Sequence, residues 1–534
     1  MGNWTEQQKN PLTDRSLEVC DLIELEGVPI SLELDDNTSF LERMFSDSSD
    51  FVLRKFQLKN SVHAIAIFVD GLISTNDVND ALKALMVLED GSDQIGVIEE
   101  ALLPVSQISR VKDYKGLLQA VLSGDTGIIV EGNREALTLG IRGADTRSVN
   151  EPEGEAVVRG PREGFIENIR TNTSMVRRKL KTPRLKMKSL VVGRKSNTNV
   201  VVAFLDGVAN SELVDEVTHR ISRIEIDAVL ESGYIESLIQ DNEYSPFPQV
   251  MYTERPDTVS AALLEGRVAI FVDGSPMVLL VPTTFWMMLQ ASEDYYERFQ
   301  MATVVRWLRY LFLLISLVTP ALYVAVTTYH QHMLPTSLLL SIAAAREAIP
   351  FPAIVEALIM EIAFEALREA GIRLPKTVGQ AVSILGALVV GQAAVQAGIV
   401  SAPMVIVVSI TGIASFTVPH FNAAISIRLL RFPLMFAASL LGIYGILVGL
   451  LIIVGHMASL RSFGIPYLSP VAPMSVGDLK DVLIRAPWAD LKDRPSFLGV
   501  EQARRIGEEF LKKYQRAEEQ SQNKEAKERE RHDE

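Results

Sequence analysis

Three stretches of this chain carry no formal charge: 36 residues between Arg309 and Arg346, 51 between Lys376 and Arg428, and 29 from Phe432 to Leu460. About 20 apolar residues cross a bilayer as a helix, because only a segment that satisfies its own backbone hydrogen bonds is tolerated in hydrocarbon. Three such runs crowded together are read as membrane helices rather than as buried helices of a soluble enzyme. Spans are expected at residues 307–329, 379–400, 403–418 and 433–457, with Arg306, Trp307 and Arg309 anchoring the first at the interface. A mean hydropathy of +0.18 with 22% charged residues then reflects segregation along the chain.

At 534 residues several domains are expected. Residues 1–38 read as a flexible acidic lead, and 39–303 alternate short apolar strands with amphipathic helices, an α/β or α+β pattern. A repeat runs through that region. AIFVDG (66–71) and VAFLDG (202–207) each precede a helical stretch, with Ser74 and Asn210 to Ser211 as N-caps. GIIVEG (127–132) and AIFVDG (269–274) are each followed by an apolar strand, and Asp-Gly or Glu-Gly between apolar runs reads as a tight hairpin turn. The members of these pairs stand 136 and 142 residues apart, so one unit is repeated. The fold class is therefore an α/β (α+β) duplicated soluble amino-terminal region followed by an all-α polytopic membrane domain. The divisions are 39–150 and 188–303 for the two soluble subdomains, 151–187 for a basic linker helix, 304–460 for four to five spans, and 461–534 for a charged, solvated carboxyl-terminal tail.

The net charge is −14, yet residues 159–195 hold 12 basic residues against Glu163 and Glu167. Arg177, Arg178, Lys179, Lys181, Arg184, Lys186 and Lys188 are expected either to form a solvated face or to lie against anionic membrane lipids. Nucleic acid is not an expected partner, since no aromatic residues interleave the charges. Cys20 is the single cysteine, so no intramolecular disulfide forms. The first residues lack a secretory signal, which keeps the amino-terminal region on the cytoplasmic side. No phosphate-binding loop, CxxC pair, zinc-type histidine pair or nucleophile elbow is found, so no catalytic residue, metal or cofactor is expected.

The most informative stretch is 336–375, helical by residue preference but broken at Pro350 and Pro352. Its charges cost several kcal/mol each in hydrocarbon and must face protein, water or the interface. Glu347, Glu356, Glu361 and Glu365 are candidates for an ion pathway, because a ring of carboxylates from several subunits favours monovalent cations; Gln392 and Gln396 from the next span are candidates beside them, although helix packing is the preferred reading of their amides. The competing reading is an interfacial helix or reentrant hairpin whose glutamates pair with Arg346 and Arg368. A full span puts the carboxyl tail opposite the soluble region, whereas a reentrant one puts both chain ends on one side.

The strings VVRGPREGFIENI, DNEYSPFPQ, TERPDTVSAALLEGRVAIFVDGSP, AREAIPFPAIVEALIMEIAFEALREAGIRLP and ASFTVPHF together resemble the A subunits of GerA-type spore germinant receptors. That resemblance covers 154–470 most strongly. It implies a protein of the spore inner membrane that works with a transporter-like B subunit and a lipoprotein C subunit. It also implies assembly with copies of itself into a ring that opens as a cation channel when nutrient binds. The stage V sporulation AF protein has the same architecture, and the alternative it implies is a channel that amplifies ion release without nutrient; a secondary transporter is a further alternative, disfavoured by the single broken helix.

Overall fold

Two antiparallel five-stranded sheets carry the repeated signatures in the computed structural model, which describes residues 21–58, 62–87, 107–143, 151–152, 154–374 and 391–507. The first copy runs α1 (Leu34–Met44), β1 (Phe51–Gln57), β2 (His63–Val69), α2 (Thr75–Val87), β3 (Ile108–Val111), α3 (Tyr114–Val121), β4 (Thr126–Val130) and β5 (Ala136–Leu139). The second runs α4 (Ile169–Lys179), β6 (Leu185–Val192), β7 (Thr198–Leu205), α5 (Ser211–Ser222), α6 (Ser232–Ile239), β8 (Met251–Thr253), α7 (Pro256–Leu264), β9 (Val268–Val272) and β10 (Val278–Val281). The strand orders, β1-β2-β4-β5-β3 and β6-β7-β9-β10-β8, are one topology used twice.

The signatures supply the central strands because they are apolar on both faces. In β2, Ile65, Ile67 and Val69 pack with α1 and α3, while Ala64, Ala66 and Phe68 pack with α2. Alternate side chains of a strand point to opposite faces, so helices on both sides bury it completely. The hairpins of both copies turn at glycines, Gly132 (φ 80°) and Gly274 (φ 84°).

A second mark of the repeat escapes the sequence reading. Asn37 accepts from the amide of Ser31 and donates back to its carbonyl, and Asn172 does the same with Ile166. Each buried amide thus closes the loop that leads into the first helix of its copy. Residues 151–187 are accordingly not a linker helix. They contain α4, the counterpart of α1, and the start of β6, and the face of α4 bearing Ile169, Met175 and Val176 is buried.

The basic stretch is likewise not a membrane-facing patch as a whole. Arg177 is buried and grips Asp50 of the first copy through Nε and Nη2, both at 2.9 Å, while its Nη1 donates to the carbonyl of Leu185. Lys186 is buried with its Nζ on the carbonyl of Met44 at 2.6 Å, and burial lowers its pKa. Lys179 pairs with Glu163, and Arg184 with Asp21 and Glu24. Arg178 and Lys188 are half-buried and Lys181 is exposed. A backbone seam completes the join: Ser49 N–H donates to the Met187 carbonyl and Met187 N–H to that of Asp47.

Upstream of α4, the Glu155 carboxylate accepts from Thr253 Oγ1 at 2.5 Å and Arg255 donates to the carbonyls of Glu155 and Pro161. Burial, with Glu254 as a like-charged neighbour, raises the Glu155 pKa from 4.5 to about 7. The folded state therefore keeps a proton that the unfolded chain has already released, so the contribution to stability present at low pH is lost as pH rises from about 4.5 to 7. Melting of the full-length protein across this range is expected to show a fall in Tm with rising pH that Glu155→Gln reduces. An identical slope in the variant would refute the assignment.

The chain divides into two compact units, one of residues up to 241, 250–282 and from 488, the other of 242–249 and 283–487. The second unit contains α8 (Phe299–Thr328), α9 (Thr336–Arg346), α10 (Ala353–Arg373), α11 (Ala402–Ser415), α12 (Phe421–Leu441) and α13 (Ile443–Ser459). Among the described residues, α8 and α12 are long and apolar enough to cross a membrane, and α9, α11 and α13 are shorter apolar helices. Most of the span expected at 379–400 lies outside the described residues, although 391–396 is helical.

The span expected at 433–457 is corrected. The helix breaks at Gly442 (φ 63°), and α12 and α13 fold back on each other. Glycines permit the close approach: a Cβ on Gly445 would stand 2.1 Å from the Ala437 carbonyl oxygen, and one on Gly449 2.6 Å from Leu434 Cδ1. Arg306 and Arg309 are not interfacial anchors either, since both are buried on Asp294, each at 3.0 Å.

Residues 461–507 are folded and not a solvated tail. Within the helical unit, β11 (Arg461–Ser462) and β12 (Ile465–Pro466) form a short hairpin, Tyr467 is buried, and Asp481 accepts from Arg306. Residues 488–507 belong to the sheet unit, where Arg494 donates to the carbonyls of Leu264 and Gln502. The remainder of the proposed tail lies outside the described residues.

Candidate functional site

Helix α10 begins where the Pro350 and Pro352 break ends, with Pro352 as its N-cap residue. Proline lacks the amide a continuing helix needs, so the charged stretch folds as two helices, α9 and α10. Ala353, Glu356, Ala357, Met360 and Glu361 are all buried, and their spacing of three and four places them on one stripe. The sequence-predicted carboxylates thus lie on the packed face of α10. The small side chains beside them let neighbouring helices come close.

Each carboxylate meets an arginine of the same chain. Glu356 accepts from Arg346 Nε at 3.0 Å and from the Ser401 amide at 3.0 Å, so it fastens the break to the start of α11. Glu361 and Arg431 of α12 form an ion pair in which both side chains are at most 1% exposed. Glu365 pairs with Arg368, one turn farther along α10, and stands 3.9 Å from Arg428 Nε of α12. Arg428 also lies 5.5 Å from the ring centre of Phe421.

The pairing is incomplete. Buried atoms without a hydrogen-bond partner include Glu361 Oε1, Glu365 Oε1, Nε and Nη1 of Arg368, Arg428 Nε, and Nε and Nη2 of Arg431. Buried polar groups in native proteins are nearly always satisfied by protein or by ordered water. This concentration marks a polar interior within otherwise apolar helices.

Glu347 is not part of the cluster and stands exposed at the end of α9, a helix with no buried residue. Gln392 and Gln396 are exposed one turn apart. Arg428 and Arg431, which fall between the spans expected at 403–418 and 433–457, are the members that the sequence-based candidates lack. Their spacing of three inside an apolar segment, matched to carboxylates four apart in α10, was the available signal.

The chain matches the family described as Bacillus/Clostridium GerA spore germination protein over residues 39–497. It is 52% identical over 487 residues to the uncharacterized membrane protein YfkQ of Bacillus subtilis, covering 90% of this chain and 94% of that one. Spore germination protein KA of the same organism is 45% identical, with 90% of each chain covered. Spore germination protein GerLA of Bacillus cereus is 38% identical over 88% of this chain and 96% of its own. A crystal structure of the N-terminal domain of the A subunit of the Bacillus megaterium spore germinant receptor GerK3 aligns with a TM-score of 0.39 at 34% identity, covering 48% of this chain and 97% of that one. With a family match across most of its length and relatives this similar, the chain belongs to the GerA spore germination protein family.

Proposed function

We propose that this chain is the A subunit of a nutrient-responsive germinant receptor of the spore inner membrane, assembling with copies of itself into a cation channel and with a transporter-like B subunit and a lipoprotein C subunit. Its relatives named as spore germination proteins support the role in germination. The observation that carries the channel reading is the row of carboxylates on α10, where Glu361 and Glu365 each keep one oxygen without a hydrogen-bond partner, because such groups are tolerable in a membrane only where water or ions reach them. Helix α9 adds to it, since a helix without a buried residue finds cover against lipid or a neighbouring copy.

The path of the chain supports a topology as well. It leaves the sheet unit after residue 282 and re-enters it at 488. With that unit on one side of the bilayer the number of crossings between is even, which favours the topology with both ends on one side, and the absence of a secretory signal from the first residues favours the cytoplasmic one.

Recording from the purified full-length protein in planar bilayers tests the reading. A cation-selective current is expected, altered in conductance or selectivity by Glu361→Gln and by Glu365→Gln. Silence in every oligomeric state would leave a scaffold held together by its own ion pairs. Unchanged currents in both variants would remove these residues from the path.

A further inference from the structure

The charge cluster is unbalanced in a way that the channel reading does not require. Among the described residues, three guanidinium groups, Arg368, Arg428 and Arg431, meet two carboxylates, Glu361 and Glu365, which leaves an excess of one positive charge. The unsatisfied atoms lean the same way: five are donors, on Arg368, Arg428 and Arg431, and two are acceptors, on Glu361 and Glu365. Arg431 is 1% exposed and Arg428 5%. Water alone satisfies hydrogen bonds but leaves the net charge uncompensated, and an uncompensated buried charge is among the costliest features a fold can carry. A bound anion answers both deficits, since guanidinium donors and anions form the stronger, charge-assisted class of hydrogen bond.

We infer that the space bounded by Arg368, Arg428 and Arg431 holds a small monovalent inorganic anion, which supplies the missing negative charge between α10 and α12. The free donor atoms are all enclosed, so a lipid phosphate would have to part the helices to reach them. The Arg368 and Glu365 side chains, 17% and 24% exposed, mark the side from which a small ion enters. Glu361 and Arg431, at most 1% exposed, lie deeper in the cluster. In this arrangement the anion is a structural counter-ion that holds the two helices together.

The test is thermal unfolding of the full-length protein in detergent, with sodium chloride replacing sodium gluconate at constant ionic strength. A ligand that binds only the folded state raises Tm, so chloride is expected to give a saturable rise of about 2–4 °C. Arg368→Gln removes the charge excess and two free donors, and the chloride-dependent rise should disappear. Glu365→Gln doubles the excess, and the half-saturating chloride concentration should fall several-fold. Equal melting in chloride and gluconate overturns the inference and leaves water as the filler. A chloride response kept in full by Arg368→Gln also overturns it, and if that variant does not fold, an unchanged midpoint in Glu365→Gln does. Because the readout is melting and not current, a protein that conducts nothing yet responds to chloride would keep this site while losing the channel.

Discussion

Asp50→Ala is expected to destabilise the sheet unit by about 3–5 kcal/mol, the usual cost of stranding one member of a buried ion pair. The loss is not that of the hydrogen bonds alone. Arg177 would remain 1% exposed with its charge uncompensated at the join between the two copies. The nearby pair of Arg170 with Asp70, 3.5 Å apart and with side chains 51% and 40% exposed, provides the contrast. Exposed pairs contribute about 0–1 kcal/mol, so Asp70→Ala should change little. Urea unfolding followed by circular dichroism measures both, and hydrogen exchange should show β1 and β6 losing protection together in Asp50→Ala. A result for Asp50→Ala within about 1 kcal/mol of the parent would mean that Arg177 reaches solvent there. Replacing both residues with apolar ones of similar size should recover most of the loss, because a buried pair removed as a pair leaves no orphan charge.

That pair explains why a count of charges misled. Arg177 and Lys186 stand in a stretch rich in arginine and lysine, and composition treats each of them as solvated. What buries them is Asp50 and the Met44 carbonyl, partners more than 120 residues earlier in the chain. Local pattern recovers what depends on near neighbours: the apolar strands, the Asp-Gly and Glu-Gly hairpins, the Asn210 cap, which accepts from the Glu212 amide, and the helix break at Pro352. Even the duplication was visible, because both copies reuse the same strand and turn. Hidden from it were α4 as the opening helix of the second copy, the packing of residues 461–507, and the break at Gly442. Each of these depends on contacts distant in sequence, such as Arg494 on Leu264.

The Glu361–Arg431 pair of the helical unit is open to the same comparison of single and double replacement. Glu361→Leu alone is expected to cost about 3–5 kcal/mol, because Arg431 would be left buried among apolar helices without its partner. Glu361→Leu combined with Arg431→Leu removes both charges and should restore most of the stability, with a coupling energy of at least about 2 kcal/mol in the double-mutant cycle. Melting in detergent reads the stability, and bilayer recording of the same proteins reads the conductance. If the rescued double variant is stable and silent, the pair belongs to the conducting path and not only to the packing. If it is stable and conducts as the parent does, Glu361 is a structural residue, and the path runs past groups that remain exposed, with Glu347, Gln392 and Gln396 the first to examine. A double variant no more stable than Glu361→Leu alone would show that the two side chains are not coupled, and the packing of α10 against α12 described above would fail with it.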